Sequence, residues 1–146
     1  MTSFFLDTSY LIAIIHKRDG NHHTALEIYR NMASIGKPSF YVSWPVLSEF
    51  LGFFSHKGQY LRMAAADAVS SLLLESDVLP IEAGQEDYNE AFKLYASRND
   101  KEFSLVDCHT IISVRKFEIS GVVSFDGDFD DEGIVVIRTG KDVLSV

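Results

Sequence analysis

The sequence predicts an α/β fold built on a parallel sheet with helices packed against it. Three observations predict it. Five short apolar runs have strand length: Phe4–Leu6, Phe40–Val42, Val78–Ile81, Gly121–Phe125 and Ile134–Ile137. Stretches of helical periodicity separate the first four, and this alternation is the mark of a parallel sheet. Two of the runs lead into an aspartate, Asp7 and Asp126. In open α/β sheets the ligand crevice lies outside the carboxyl ends of the strands.

Phe4-Phe5-Leu6 is a continuous apolar run, as expected for a strand buried on both faces. Asp7 ends it, and Thr8 or Ser9 can cap the helix that follows to about His16. Asp7 itself reads either as a simple N-cap or as a cation ligand. His16 to Asn21 is a loop. A second helix runs from about His22 to Ser34, with Ala25, Leu26, Ile28, Tyr29 and Met32 as its apolar stripe and Gly36 as its stop. Adjacent helical side chains point apart, so His22 and His23 read as a solvated helix start or a loose phosphate contact rather than a metal pair.

Phe40-Tyr41-Val42 is the second strand, and Ser43-Trp44-Pro45 opens a helix with Pro in its first turn. Val46, Phe50 and Phe53 share a face of that helix with Glu49. A Glu on an apolar stripe is costly to bury unless it is paired or bound to an ion. After a loop from His56 to Tyr60, Leu61 to Glu75 is helical, with Asp67 facing solvent. Val78-Leu79-Pro80-Ile81 is a short strand near a sheet edge, because Pro is excluded from central ladders. Gln85 to Arg98 is a helix with Tyr88, Ala91, Phe92 and Tyr95 inward. Ser104 and Asp107 have capping-box spacing at the start of the next helix. Asp107 also shares a face with Ile111 and Val114, which turns it inward. The fourth strand leads into the acidic run Asp126 to Gly133, and Ile134 to Ile137 is the fifth strand.

Composition narrows the class. The chain has 146 residues, 47% hydrophobic and 23% charged, without repeat or linker, so residues 1–146 read as a single domain. No apolar run approaches the roughly 20 residues that span a bilayer. Cys108 is the lone cysteine, which excludes an internal disulfide and fits the cytoplasm; it reads as a small buried hydrophobe. The net charge of −8 argues against a nucleic-acid partner unless bound cations reverse it locally.

Asp7, Glu49, Asp107 and Asp126 map to one edge of the sheet, two at strand ends and two in early helical turns beside strand ends. Carboxylates gathered this way repel one another, and hard divalent cations such as Mg²⁺ or Mn²⁺ relieve the repulsion.

The same residues carry a resemblance. The chain resembles the PIN (PilT N-terminal) domain nucleases, which include the toxins of VapBC-type toxin–antitoxin pairs. The matching segments are Asp7-Thr8-Ser9-Tyr10-Leu11, Ser48-Glu49-Phe50, Ser104-Leu105-Val106-Asp107-Cys108 and Ser124-Phe125-Asp126-Gly127-Asp128-Phe129. The resemblance implies a three-layer PIN-like fold with a five-stranded parallel sheet. It implies a Mg²⁺- or Mn²⁺-dependent endoribonuclease that leaves 5′-phosphate and 3′-hydroxyl ends, with Asp7, Glu49, Asp107 and Asp126 as catalytic ligands. Asp128 competes with Asp126 for the last ligand position. Ser9, Ser104 and Ser124 would orient the carboxylates. An antitoxin and a second copy of the chain are the protein partners it implies.

Cations that could meet RNA phosphates are Lys17 and Arg18, Lys57 and Arg62, Arg98 and Lys101, and Arg115 and Lys116. The competing reading is a non-catalytic PIN-like module that binds RNA or a protein. A phosphatase of the haloacid-dehalogenase type needs a second Asp where Ser9 stands. A receiver domain needs paired acids at the first strand end, and these are missing too.

Overall fold

The computed structural model describes residues 1–146. β1 (Ser3–Leu6) is followed by α1 (Thr8–Ile15) and α2 (His22–Ser34), then β2 (Ser39–Ser43), α3 (Trp44–Phe54), α4 (Gln59–Leu74), β3 (Val78–Ile81) and α5 (Gln85–Ser97). α6 (Leu105–Lys116), β4 (Gly121–Val123), β5 (Val136–Ile137) and α7 (Gly140–Val143) complete the chain. All pairings are parallel, in the order β3-β2-β1-β4-β5. The continuous apolar run places β1 at the centre, buried on both faces. Pro80 lies in the edge strand β3, as its missing N–H requires.

This order fixes where a site can form. From β1 the chain steps outward through β2 to β3, then crosses back to β4 on the other side of β1. Right-handed crossovers then put α1 to α4 on one face and α5 and α6 on the other. The contacts agree: α1 packs on α2 and α3, α3 on α4, and α5 on α6. The order reverses between β1 and β4, so the crevice opens beyond their carboxyl ends.

Several sequence expectations shift. β5 covers only Val136–Ile137, because the turn before it carries left-handed Asp131 and Gly133. β4 stops at Val123, where the backbone N–H groups of Phe125 and Asp126 turn to the hydroxyls of Ser9 and Ser124. Phe92 and Tyr95 are exposed. Ala91 is the buried residue of α5, and Tyr88 meets the His109 ring of α6 at 5.9 Å, so the expected apolar stripe turns inward at these two positions only. Tyr29 is also exposed. The unforeseen α7 is a single turn with a Thr139–Asp142 capping box.

Candidate active site

Asp7 stands at the switch point. Its N–H donates to the Val123 carbonyl at 3.1 Å, joining the ends of β1 and β4. It occupies the N-cap position of α1, yet its side chain makes no cap bond. The carboxylate instead accepts from Ser124 Oγ at 2.8 Å and Ser9 Oγ at 3.4 Å, with only 2% of the residue exposed. Burial pushes its pKa from 3.8 to about 7; the Ser124 hydrogen bond opposes this, and Asp126 and Asp107 add to it. Asp7 thus holds the N-cap position without a side-chain capping bond to α1.

Ser9 and Ser124 do more than orient Asp7. Their hydroxyls lie 3.2 Å apart, and they take the N–H groups of Phe125 at 3.0 Å and Asp126 at 3.1 Å. The loop after β4 is thereby fastened to the start of α1. Asp126 stands three residues past β4, nearer the solvent than Asp7. Burial first, then Asp128, raise its pKa; Arg138 and a hydrogen bond with Asp7 act the other way.

Asp107 is both cap and cleft residue. Its Oδ2 accepts from the Ser104 N–H at 3.0 Å, and its own N–H donates to Ser104 Oγ at 3.0 Å. Burial pushes the carboxyl up to about 6, the Ser104 N–H lowers it, and Asp128 and Glu49 raise it further. Asp128 thus acts on both Asp107 and Asp126, although it does not line the cleft.

Glu49 departs from the expectation of burial. It lies in the second turn of α3 and is exposed, while Val46 and Phe50 beside it are buried. The edge of the apolar stripe opens onto the cleft, so Glu49 forms its rim. Its Oε1 accepts from Thr8 Oγ1 at 2.7 Å, a partner sequence reasoning did not foresee.

Asp7, Glu49, Asp107 and Asp126 share one cleft of about 460 Å³ with Thr8, Ser9, Ile12, Phe53 and Ser104. A hollow of similar size beside β3 holds His109, Lys116 and Pro80 but gathers no such acid cluster. The four acids line the cleft without closing on a point: no three carboxylate, imidazole or thiol groups stand close enough to cage one ion. Each of three is held apart by its own partner, Ser124, Thr8 or Ser104. The donors are all oxygens, which suits a hard cation. Mg²⁺ in particular is bound through one or two carboxylates together with water and substrate phosphate, and needs no protein cage. The residues fit such an ion.

The expected phosphate-binding cations divide. Arg98 grips Glu132 through two hydrogen bonds at 2.6 and 3.0 Å and reaches Asp100. Lys101 meets the Asp130 carbonyl, Arg115 the Glu132 carbonyl and Lys116 the Asp87 carboxylate. These four hold the chain's own acids and loop. Lys17, Arg18, Lys57 and Arg62 are exposed and make no ion pair.

A parallel sheet in this order, with hydroxyl-braced acids at its switch point, defines a protein class. The chain belongs to the PIN domain family, whose model matches residues 4–133. It is 29% identical over 138 residues to the 23S rRNA-specific endonuclease VapC20 of Mycobacterium tuberculosis, covering 92% of this chain and 97% of that protein. The crystal structure of VapC20, a sarcin–ricin-loop-cleaving toxin, matches with a TM-score of 0.78 at 28% identity over 92% of this chain and 98% of the other. The fold is also that of VapBC2 from Rickettsia felis, solved on a promoter DNA fragment: TM-score 0.63, 15% identity, 93% and 98% coverage.

Proposed function

We propose that this protein is a Mg²⁺- or Mn²⁺-dependent endoribonuclease that leaves 5′-phosphate and 3′-hydroxyl ends. It would be the toxin of a toxin–antitoxin pair, acting in the cytoplasm. One observation carries the reading: four carboxyls line a single cleft, where burial first and neighbouring carboxylates second raise the pKa of Asp7, Asp107 and Asp126, a cost that a bound cation relieves. Relatedness to a 23S rRNA-specific endonuclease makes ribosomal RNA the first substrate to assay.

Asp7, Asp107, Asp126 and Glu49 would hold the ion, with Asp128 adjusting Asp107 and Asp126 through its charge. The ion would supply Lewis acidity toward the phosphate and a water of lowered pKa. Ser124 and Ser9 fix the Asp7 carboxylate, Thr8 fixes Glu49, and Ser104 fixes Asp107. No side-chain nucleophile is needed. Cys108 is buried and its thiol pKa is pushed up by burial, so it supplies none. Burial lowers the His109 pKa, and its Nδ1 is sealed from solvent without a partner.

An antitoxin would have an apolar groove available between α1, α2 and α4, lined by Tyr10, Leu11, Ile14, Ile15, Met32 and Leu72 among others. Self-association belongs to the same reading and is checked by sedimentation. The test of the activity is cleavage of end-labelled RNA in Mg²⁺ and in chelator. Cleavage that persists in chelator overturns the reading, as does full activity in Asp107→Asn.

A further inference from the structure

Part of the cleft wall is not acidic. Phe53, in the last turns of α3, lines the cleft beside Ile12. It is 39% exposed, whereas its neighbour Phe54 is fully buried. Two groups attend the ring. The Lys57 ammonium stands 4.4 Å from its centroid. The His16 ring lies 6.4 Å away at 62°, and Phe54 meets it edge-on at 5.0 Å. His16 and Phe54 set the ring's tilt, while the exposed part of the residue borders the cleft.

Lys57 is the informative neighbour. A cleft rich in carboxylates should draw a nearby ammonium into an ion pair. Lys57 forms none and rests over an aromatic ring. It therefore remains available to an incoming anion. Arg138 also reaches a cleft residue, but its guanidinium is engaged by the Asp126 carbonyl at 2.8 Å and Asp130 at 2.9 Å.

A partly exposed aromatic ring and a flexible, unpaired ammonium resting over it are the parts that bind single-stranded nucleic acid: the ammonium can swing to a phosphate while a base stacks on the ring. We propose that Phe53 is a base-stacking platform, and that with Lys57 it forms a subsite for the nucleotide flanking the scissile phosphate of a single-stranded RNA. This rests on the ribonuclease reading and adds how the substrate is held. The backbone is drawn to Lys57 and the base to Phe53, so a phosphate is presented to an acidic cleft that would otherwise repel it. His16 acts through Phe53 as a positioning residue.

The test is fluorescence anisotropy with a labelled single-stranded RNA hexamer and with an abasic hexamer of the same backbone, in Ca²⁺ to suppress turnover. Phe53→Leu keeps an apolar side chain and removes the π face; it should weaken the base-bearing hexamer about tenfold and leave the abasic one unchanged. Phe53→Trp should restore or exceed wild-type affinity. Lys57→Gln should flatten the slope of log affinity against log salt by about 0.7, the loss of one phosphate contact on a single strand. Wild-type affinity in Phe53→Leu, or an equal loss on both hexamers, overturns the platform while cleavage by the wild type leaves the ribonuclease reading intact. Failure of the wild type both to bind and to cleave RNA overturns the two together. Matching melting temperatures of the variants show that folding is not what changed.

Discussion

Replacing Asp7 by Asn should make the protein more stable and inactive at once. The Asp7 carboxyl is displaced from 3.8 to about 7, chiefly by burial. At 1.36 kcal/mol per pH unit, keeping it ionised in the fold costs about 4 kcal/mol. The sign follows from proton counting. Between pH 4 and 7 the native chain holds a proton here that the unfolded chain has lost, so this group's contribution to stability falls as pH rises through that window and levels off above about 7. Asn carries no charge and escapes the penalty. Its carbonyl keeps the Ser124 hydroxyl, while its amide must find room beside Asp126, so about half the gain should survive. About 2 kcal/mol corresponds to a rise in melting temperature of roughly 4–8 °C for a chain of this size. The assay is thermal unfolding of wild type and Asp7→Asn in chelator, at pH 4.5 and pH 8, beside cleavage at pH 8. The gain should be present at pH 8 and small at pH 4.5. Mg²⁺ should stabilise the wild type far more than the variant, in keeping with binding to the native state alone. Equal melting temperatures at pH 8, or the same gain at both pH values, would refute the reasoning.

Other residues give sharper local tests. Ser124→Ala removes the hydrogen bond that holds the Asp7 pKa down, so the acid limb of the pH–rate profile should move to higher pH. An unmoved limb with lower activity would leave Ser124 a purely structural role. Glu132→Gln weakens the Arg98 grip on the loop that carries Asp126 and Asp128; melting should fall by about 5 °C or more. Isothermal calorimetry on that variant should show weaker Mg²⁺ binding, and unchanged affinity would separate the clamp from the site. Cys108 is fully buried with a raised thiol pKa, so an aromatic disulfide reagent at pH 8 should react only after unfolding. Rapid labelling of the native protein would place the thiol elsewhere.

What the sequence discloses and what it hides divide along physical lines. β1, the edge position of β3 and the Ser104–Asp107 box were legible, because each follows from local chemistry: an apolar run, a missing N–H, a capping pair. The Thr139–Asp142 box of α7 carries the same signal and was missed, since one turn leaves no periodicity to notice. The apolar run at Ile134 suggested a longer β5 than the Asp131–Gly133 turn permits. Phe53, Phe92, Tyr95 and Tyr29 show a deeper limit. Periodicity says which helix face is apolar, but exposure depends on how close the neighbouring element comes. Thr8 as partner of Glu49 spans 41 residues and leaves no trace in spacing. The cations misled for a related reason. Arg98, Lys101 and Arg115 look like phosphate ligands until the acidic loop after β4 folds back onto them.

That loop explains how so acidic a chain tolerates its own cleft. Four carboxylates at one sheet edge would drive their loops apart if nothing held them. Hydroxyls of Ser9 and Ser124 tie Asp7 and the β4 exit together from within, and Arg98, Lys101, Arg115 and Arg138 hold the outer half of the loop against the end of α5, the α5–α6 connection, α6 and the exit of β5. The cost of burying and crowding these carboxyls is therefore carried by fixed backbone and appears as raised pKa values, burial first and mutual repulsion second, not as an open site. A divalent cation would offset that cost: Asp7 and Asp107, with pKa values of about 7 and 6, would ionise fully as it bound. Binding should then release protons at pH 6.5. Calorimetry in two buffers of different ionisation enthalpy reads the number, and zero released protons would show that the carboxyls do not hold the ion.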